Sequence, residues 1–332
     1  MTTLKALYIL RPDRFELIYG PEERAEIDTL VDVYAPAQSA DSVKANPEIL
    51  ADAEVILSGW GAPVLDAEFL AAAPKLKAFF YGAGTIKAIV TDAFWNRGIV
   101  ITSAYAANAV PVAEFTLSQI LYSLKRGWYF ATTLKRERRW MEKEPVPGGY
   151  GSTVGLISLG MVGRRVCELL KPFDLNVLAY DPFVTPAAAR ELNVELCSLE
   201  EVFRRADVVS LHAPWLKETV GLVAGAHLAS MKPNATFINT SRGAIVREAE
   251  MIEVLQRRPD LWAILDVTYP EPPVDGSPLY TLPNVVLTPH LAGSQSGECQ
   301  RMGRYTVEDL RRYVNGEPLR WAITREKAAL MA

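Results

Sequence analysis

Three cysteines and three histidines are all that 332 residues supply of the thiolate and imidazole groups that hold most transition metals. Cys167, Cys197 and Cys299 lie far apart, with no CxxC pair and no clustered histidine, so no zinc site and no disulfide framework is expected. Each thiol reads as inert packing in a reducing compartment. Charge of one sign is also missing: 35 basic residues stand against 39 acidic ones, net −4, and no Lys/Arg block alternates with aromatics. That balance argues against nucleic acid as a partner. Long apolar runs are absent too. The stretch 4–10 is interrupted by Lys5 and stopped by Arg11, Pro12, Asp13 and Arg14, which is too short for a signal segment or a membrane span. A cytoplasmic protein without a membrane partner is the expectation.

What is present is ordinary globular material, 49% hydrophobic and 22% charged, in a chain long enough for two cores. Short runs rich in β-branched and aromatic residues recur at 4–10, 53–57, 76–81 and 99–102, with amphipathic stretches between them. That alternation predicts a parallel sheet. A long helical pattern follows at 109–125, with Pro111 in its first turn, where a missing N–H costs nothing. Residues 128–151 carry a basic cluster, Trp140, two prolines and paired glycines, and read as a surface arm and loop. A second series of strands is predicted at 153–158, 176–180, 207–211, 235–240, 261–267 and 284–288, again with helices between. A last helix is expected at 295–314, stopped by Asn315 and Gly316. The fold class is therefore α/β, doubly wound.

The first turn of the second series runs from an apolar strand through Ser158-x-Gly160-x-x-Gly163 into a helix at 164–170. In a dinucleotide fold such glycines permit a tight turn and bring backbone N–H groups against a pyrophosphate at the helix N-terminus. Ser158 replaces the first glycine; a serine can still make the turn if its φ stays negative, so altered geometry or weaker binding is expected there and not loss of the site. Asp181 ends the next strand, 18 residues beyond Gly163, near the spacing at which a carboxylate takes the ribose hydroxyls. Its charge opposes a 2′-phosphate, and Pro182-Phe183 brings no arginine, so NAD is preferred to NADP. A carboxylate opening a turn with Pro182 is the plain alternative.

Three later strands end in polar residues: Arg242 after Asn239, Glu271 after Asp266, and His290 after Thr288. Alone, each would more often be a surface ion-pair residue, a solvated acid or a satisfied histidine. Ligands of open α/β sheets bind beyond the carboxyl ends of strands, so the three can converge on one crevice.

Together with the glycine turn, the residues 211–214, 231–243, Asp266 with Glu271-Pro272, and 288–293 resemble the D-isomer-specific 2-hydroxyacid dehydrogenase family. The resemblance spans nearly the whole chain and is loosest before residue 100, where Tyr81-Gly-Ala-Gly-Thr85 is similar to the family's substrate loop. It implies a flavodoxin-like substrate domain of residues 1–103 with 296–332, a Rossmann NAD-binding domain of residues 104–295, and an active site in the cleft between them that closes on substrate. It implies a homodimer, which the 128–151 arm also suggests. The activity implied is hydride exchange between NAD(H) and a 2-oxo or D-2-hydroxy acid. His290 would pass the proton, Glu271 would orient and charge-stabilise its ring, and Arg242 would hold the substrate carboxylate. Backbone N–H groups of Ala83 and Gly84 would bind the same carboxylate. The cofactor would lie along Gly160, Met161, Val162 and Gly163, reach Ala213, Pro214, Thr240 and Ser241, and meet Arg242, Asp266, His290 and Gly293 at the nicotinamide. His212 and His227 read as structural.

By the same resemblance, Trp60 takes the place of a phosphate-binding arginine in the phosphoglycerate-type members. No cation is expected there, and an indole wall favours an unphosphorylated acid, with Tyr81 and Tyr105 in the same region. Two other readings of the family resemblance stay open: a formate- or phosphite-oxidising relative, and an NAD-sensing scaffold like the family's corepressors.

Overall fold

The computed structural model describes residues 3–331, which divide into two compact units, 3–108 with 294–331, and 109–293. The crossing expected at 103 lies five residues earlier than the observed one, because the division falls inside the first helical turn after residue 105, where no turn signal stands.

In the first unit the strands are Lys5–Ile9 (β1), Asp32–Val33 (β2), Val55–Ser58 (β3), Ala78–Tyr81 (β4) and Val100–Ser103 (β5), all parallel in the order β2-β1-β3-β4-β5. Their side chains alternate between two cores, as a period of two requires. Leu7, Ile9, Phe79 and Tyr81 enter one, and Ala6, Tyr8, Leu57 and Phe80 enter the other, against Met302 and Leu310 of the helix Cys299–Val314. Burial of both faces explains why these strands read as continuous apolar runs.

The second unit holds Tyr150–Ile157 (β6), Asp174–Tyr180 (β7), Glu195–Leu196 (β8), Val208–Leu211 (β9), Thr236–Asn239 (β10), Trp262–Leu265 (β11) and Val285–Leu287 (β12). Their parallel order is β12-β11-β10-β9-β6-β7-β8, so the direction of winding reverses between β6 and β9. The carboxyl ends of those two strands flank the crevice such sheets use for ligands. Both sheets are doubly wound, as the sequence predicts. β2 and β8 escape the sequence pattern because two residues at a sheet edge show no period.

Two expectations fail. The helix placed at 109–125 runs over Tyr105–Leu124, and Pro111 lies inside it. The overlooked start signal is Ser103, whose Oγ accepts from the Tyr105 N–H at 3.2 Å. The segment read as arm and loop opens with the helix Gly127–Glu137. Trp128 anchors it, donating from Nε1 to Gln119 Oε1 at 3.0 Å and packing edge-on to Tyr122, contacts invisible in a local pattern. Only the stretch after Glu137 is irregular, and Trp140 there is 87% exposed.

Candidate active site

At the end of β6 the chain turns through Ser158, Leu159 and Gly160 into the helix Met161–Leu170. Ser158 has φ +77°, so the condition of a negative φ is not met and the turn keeps the glycine-like geometry: the serine adopts the left-handed backbone that a glycine would supply. Gly163 is required by contact, since a Cβ there would lie 2.2 Å from the Ser158 carbonyl oxygen. Gly160 is the helix N-cap and offers no side-chain cap, and nothing lies within 4 Å of where its Cβ would be. The first-turn N–H groups, those of Met161 and Val162 among them, therefore present uncapped donors and a positive dipole end to open space, a cradle that fits a dinucleotide pyrophosphate.

Asp181 follows β7 and lies beside this turn. Its Oδ2 accepts from the Leu159 N–H at 2.7 Å, while Oδ1 accepts from the N–H groups of Phe183 at 2.8 Å and Val184 at 3.2 Å. The carboxylate thus both opens its own turn and ties down the glycine turn. Across the winding reversal, Ala213 and Pro214 follow β9. His212 beside them is buried; its Nε2 has no partner among the described residues, and burial lowers its pKa to about 3, so it stays a neutral structural ring. His227 is structural as well: its Nδ1 accepts from the Ala224 N–H at 3.0 Å, and its ring stacks on Phe203.

The three polar strand ends come from neighbouring strands. Beyond β10, Asn239 shapes the turn that carries Arg242: its Nδ2 donates to the Arg242 carbonyl at 3.1 Å, and its Oδ1 accepts from the Ser241 N–H at 3.0 Å. The Ser241 hydroxyl donates to the Ala213 carbonyl, and the Thr240 hydroxyl pairs with that of Thr116 at 3.1 Å. Burial lowers the Arg242 guanidinium below its ordinary pKa, and the charge of Glu271 pushes it back up.

Beyond β11, the Thr268 hydroxyl donates to the Pro270 carbonyl at 2.8 Å, and Glu248 accepts from the Tyr269 N–H at 3.0 Å, fixing the loop that presents Glu271. Gly243 lets the two loops meet, since a Cβ there would lie 2.0 Å from the Thr268 carbonyl carbon. Beyond β12, His290 has φ +53°, and its Nδ1 lies 2.6 Å from Glu271 Oε1. That contact commits Nδ1 to the carboxylate and leaves Nε2 for a reacting group. The Asp266 carboxylate accepts from the N–H groups of Leu291 and Ala292 in the same turn, and Gly293 follows them in the chain. A cavity of about 470 Å³ opens beside the pair, walled by Pro272, Pro273, Tyr280 and Leu287. The structure thus brings Arg242, Glu271 and His290 to one edge of one sheet. Sequence reasoning passed over Asn239, Thr288 and Glu248, which hold these residues in place; the one visible signal was the polar residue closing each apolar strand.

In the first unit, Trp60 follows β3, while Ala83 and Gly84 follow β4, with their carbonyls accepting from the Ser103 hydroxyl. Trp60, Tyr81 and Tyr105 belong to one apolar cluster. The expectation that no cation stands at Trp60 is wrong: the Arg14 guanidinium lies 5.7 Å from the Trp60 ring centroid. It arrives from a helix distant in sequence, Pro12–Ile18, which is why the local pattern did not show it. Arg14 Nε lies 3.2 Å from Asp13 Oδ2, and Arg11 forks onto the same carboxylate at 2.9 and 2.8 Å, so one acid serves two cations.

A profile of the D-isomer specific 2-hydroxyacid dehydrogenase NAD binding domain matches residues 117–292. Among sequence relatives, the D-3-phosphoglycerate dehydrogenase of Mycobacterium tuberculosis is 37% identical over 269 residues, 80% of this chain and 50% of that one. The enzyme of the same name from Archaeoglobus fulgidus is 34% identical over 260 residues, covering 78% and 49%. The chain spans about half the length of these relatives. Among solved structures, Rhodotorula graminis D-mandelate dehydrogenase superposes with a TM-score of 0.81 at 22% identity, covering 98% of each chain. A Lactobacillus delbrueckii ssp. bulgaricus D-isomer specific 2-hydroxyacid dehydrogenase in its NAD-complexed form gives 0.80 at 22%, covering 96% of this chain and 100% of that one. These two likenesses carry the fold. Among the described residues, no helix is long and apolar enough to cross a membrane. With the profile covering more than half of its length and the glycine turn and strand ends in their places, the chain belongs to the D-isomer-specific 2-hydroxyacid dehydrogenase family, and its second unit is that family's NAD-binding domain.

Proposed function

We propose that this protein reduces an unphosphorylated 2-oxo acid to the D-2-hydroxy acid, and catalyses the reverse, with NAD(H) as the redox partner. The observation that carries the reading is the 2.6 Å contact between His290 Nδ1 and Glu271 Oε1. NADH, when bound, supplies the hydride that C2 receives. The chain supplies the rest. The Arg242 fork grips the substrate carboxylate and polarises the C2 carbonyl, and desolvation strengthens both contacts. His290 donates its Nε2 proton to the developing alkoxide, and the Glu271 carboxylate stabilises the imidazolium before transfer and fixes the ring. In oxidation the proton returns to Nε2. Asp181 selects NAD over NADP by charge. The retained carboxylate at Glu271 speaks against a formate-oxidising relative, which the family resemblance would give an amide there. The exposed Trp140 and Tyr150, 87% and 84% accessible, support a second copy of the chain as the cover of this arm.

The indole at Trp60 supports an unphosphorylated substrate. A second reading, a phosphorylated acid, is favoured by Arg14 beside that indole and by the names of the sequence relatives. Steady-state NADH oxidation across glyoxylate, hydroxypyruvate, pyruvate, branched-chain and phenyl 2-oxo acids, with 3-phosphoglycerate plus NAD in the reverse direction, separates the two. Turnover of the phosphorylated acid alone, weakened by Arg14→Ala, would replace the first reading with the second. In either case His290→Ala should abolish turnover and spare NADH affinity. NADH binding without turnover of any acid would instead point to a sensing scaffold.

A further inference from the structure

We propose that Asp266 is the positioning residue for His290, its carboxylate clamping the left-handed turn that delivers the imidazole to Glu271. The inference rests on the reading of His290 as the proton donor. His290 has φ +53°, a backbone state that a histidine keeps only where its surroundings impose it. Asp266 makes the imposing contacts. Its Oδ1 accepts from the Leu291 N–H at 2.9 Å and from the Thr288 hydroxyl at 2.5 Å, and its Oδ2 accepts from the Ala292 N–H at 2.9 Å. The carboxylate therefore grips the chain on both sides of His290. Asp266 is 2% exposed, so water does not compete for these donors.

The clamp is itself anchored in the sheet. The Asp266 N–H donates to the Asn239 carbonyl at 3.0 Å, and the Thr288 N–H donates to the Leu265 carbonyl at 3.0 Å, so β10, β11 and β12 share one network at their ends. The His290 N–H closes back on the Thr288 carbonyl at 2.9 Å. The need is for a carboxylate and not merely for its shape. Two backbone N–H groups meet two different oxygens, and an amide of the same size would turn its NH2 toward one of them. The resemblance to the family implies a cofactor contact for Asp266; the geometry adds a task inside the protein that comes before any cofactor.

The test is Asp266→Asn in the 332-residue chain with ¹⁵N-labelled histidine. Only three histidines exist, and the His290→Ala spectrum identifies the ring concerned. In the wild type at a pH where the ring is neutral, His290 should be the Nδ1–H tautomer, held by Glu271. In Asp266→Asn that signature should disappear and kcat should fall about a hundredfold as the ring drifts from register, beyond whatever the loss of its cofactor contact does to NADH affinity. Thr288→Val removes one of three donors and keeps both backbone contacts, so it should shift the tautomer and kcat the same way by a smaller amount; it decides the matter if Asp266→Asn does not fold. An unchanged His290 tautomer in a folded Asp266→Asn overturns the clamp and leaves Asp266 a cofactor contact alone. If no acid is reduced by the wild type, the reading of the activity fails, while the tautomer still judges the clamp.

Discussion

Replacing Ser158 by glycine should stabilise the NAD-binding unit, because the serine pays for a backbone shape that glycine adopts freely. At φ +77°, a side chain with a Cβ costs about 1–2 kcal/mol. Glycine returns about 0.5–1 kcal/mol of this through the greater freedom it gives the unfolded chain. The serine hydroxyl offers little in compensation, since its 3.4 Å separation from Asp181 Oδ2 is beyond good O–H···O geometry. The net expectation for Ser158→Gly is a gain of about 0.5–1 kcal/mol, or about 1–4 °C in the melting of a unit this size. Ser158→Ala keeps the Cβ and should melt within about 1 °C of the wild type. Ser158→Val adds β-branching to a left-handed residue and should melt lowest. Scanning calorimetry of the four proteins reads the order directly. An alanine variant that matches or exceeds the glycine variant would refute the argument that the strain lies in the backbone at this turn.

Gly163→Ala should weaken NADH binding at least about tenfold by fluorescence titration, near 1.4 kcal/mol, because its Cβ would meet the Ser158 carbonyl oxygen at 2.2 Å and push the helix off its turn. His212 gives a signed pH dependence. Its folded pKa of about 3 lies below the ordinary 6.5, so only the unfolded chain takes up this proton between those values. Stability should fall by about 1.4 kcal/mol per unit as the pH drops through that window, and a His212→Gln variant should lack this share of the slope in denaturant titrations. Asp181→Ala should narrow the preference for NADH over NADPH. The ratio is the quantity to measure, since the loss of its bond to Leu159 weakens both cofactors together; an unchanged ratio refutes the ribose assignment.

The period of the apolar runs by itself determined two parallel α/β sheets, because strands buried on both faces must be continuously apolar and the helices between them amphipathic. It also placed Arg242, Glu271 and His290 just beyond the ends of three apolar runs, where ligands of such sheets bind, although each of them alone reads more readily as a surface or structural residue. What the tertiary structure decided is how those residues are held. Asn239, Glu248, Asp266 and Thr288 act through hydrogen bonds to backbone groups distant in sequence, and no local pattern encodes such a partner. The same holds for Arg14 at Trp60, brought there by its helix, and for the helix Gly127–Glu137, pinned by Trp128. Ser158 marks the boundary between the two. The sequence showed that the first glycine of the turn is absent, but only the folded chain, with β6 fixed against β7 and the helix Met161–Leu170 starting three residues on, required the serine to take glycine's conformation.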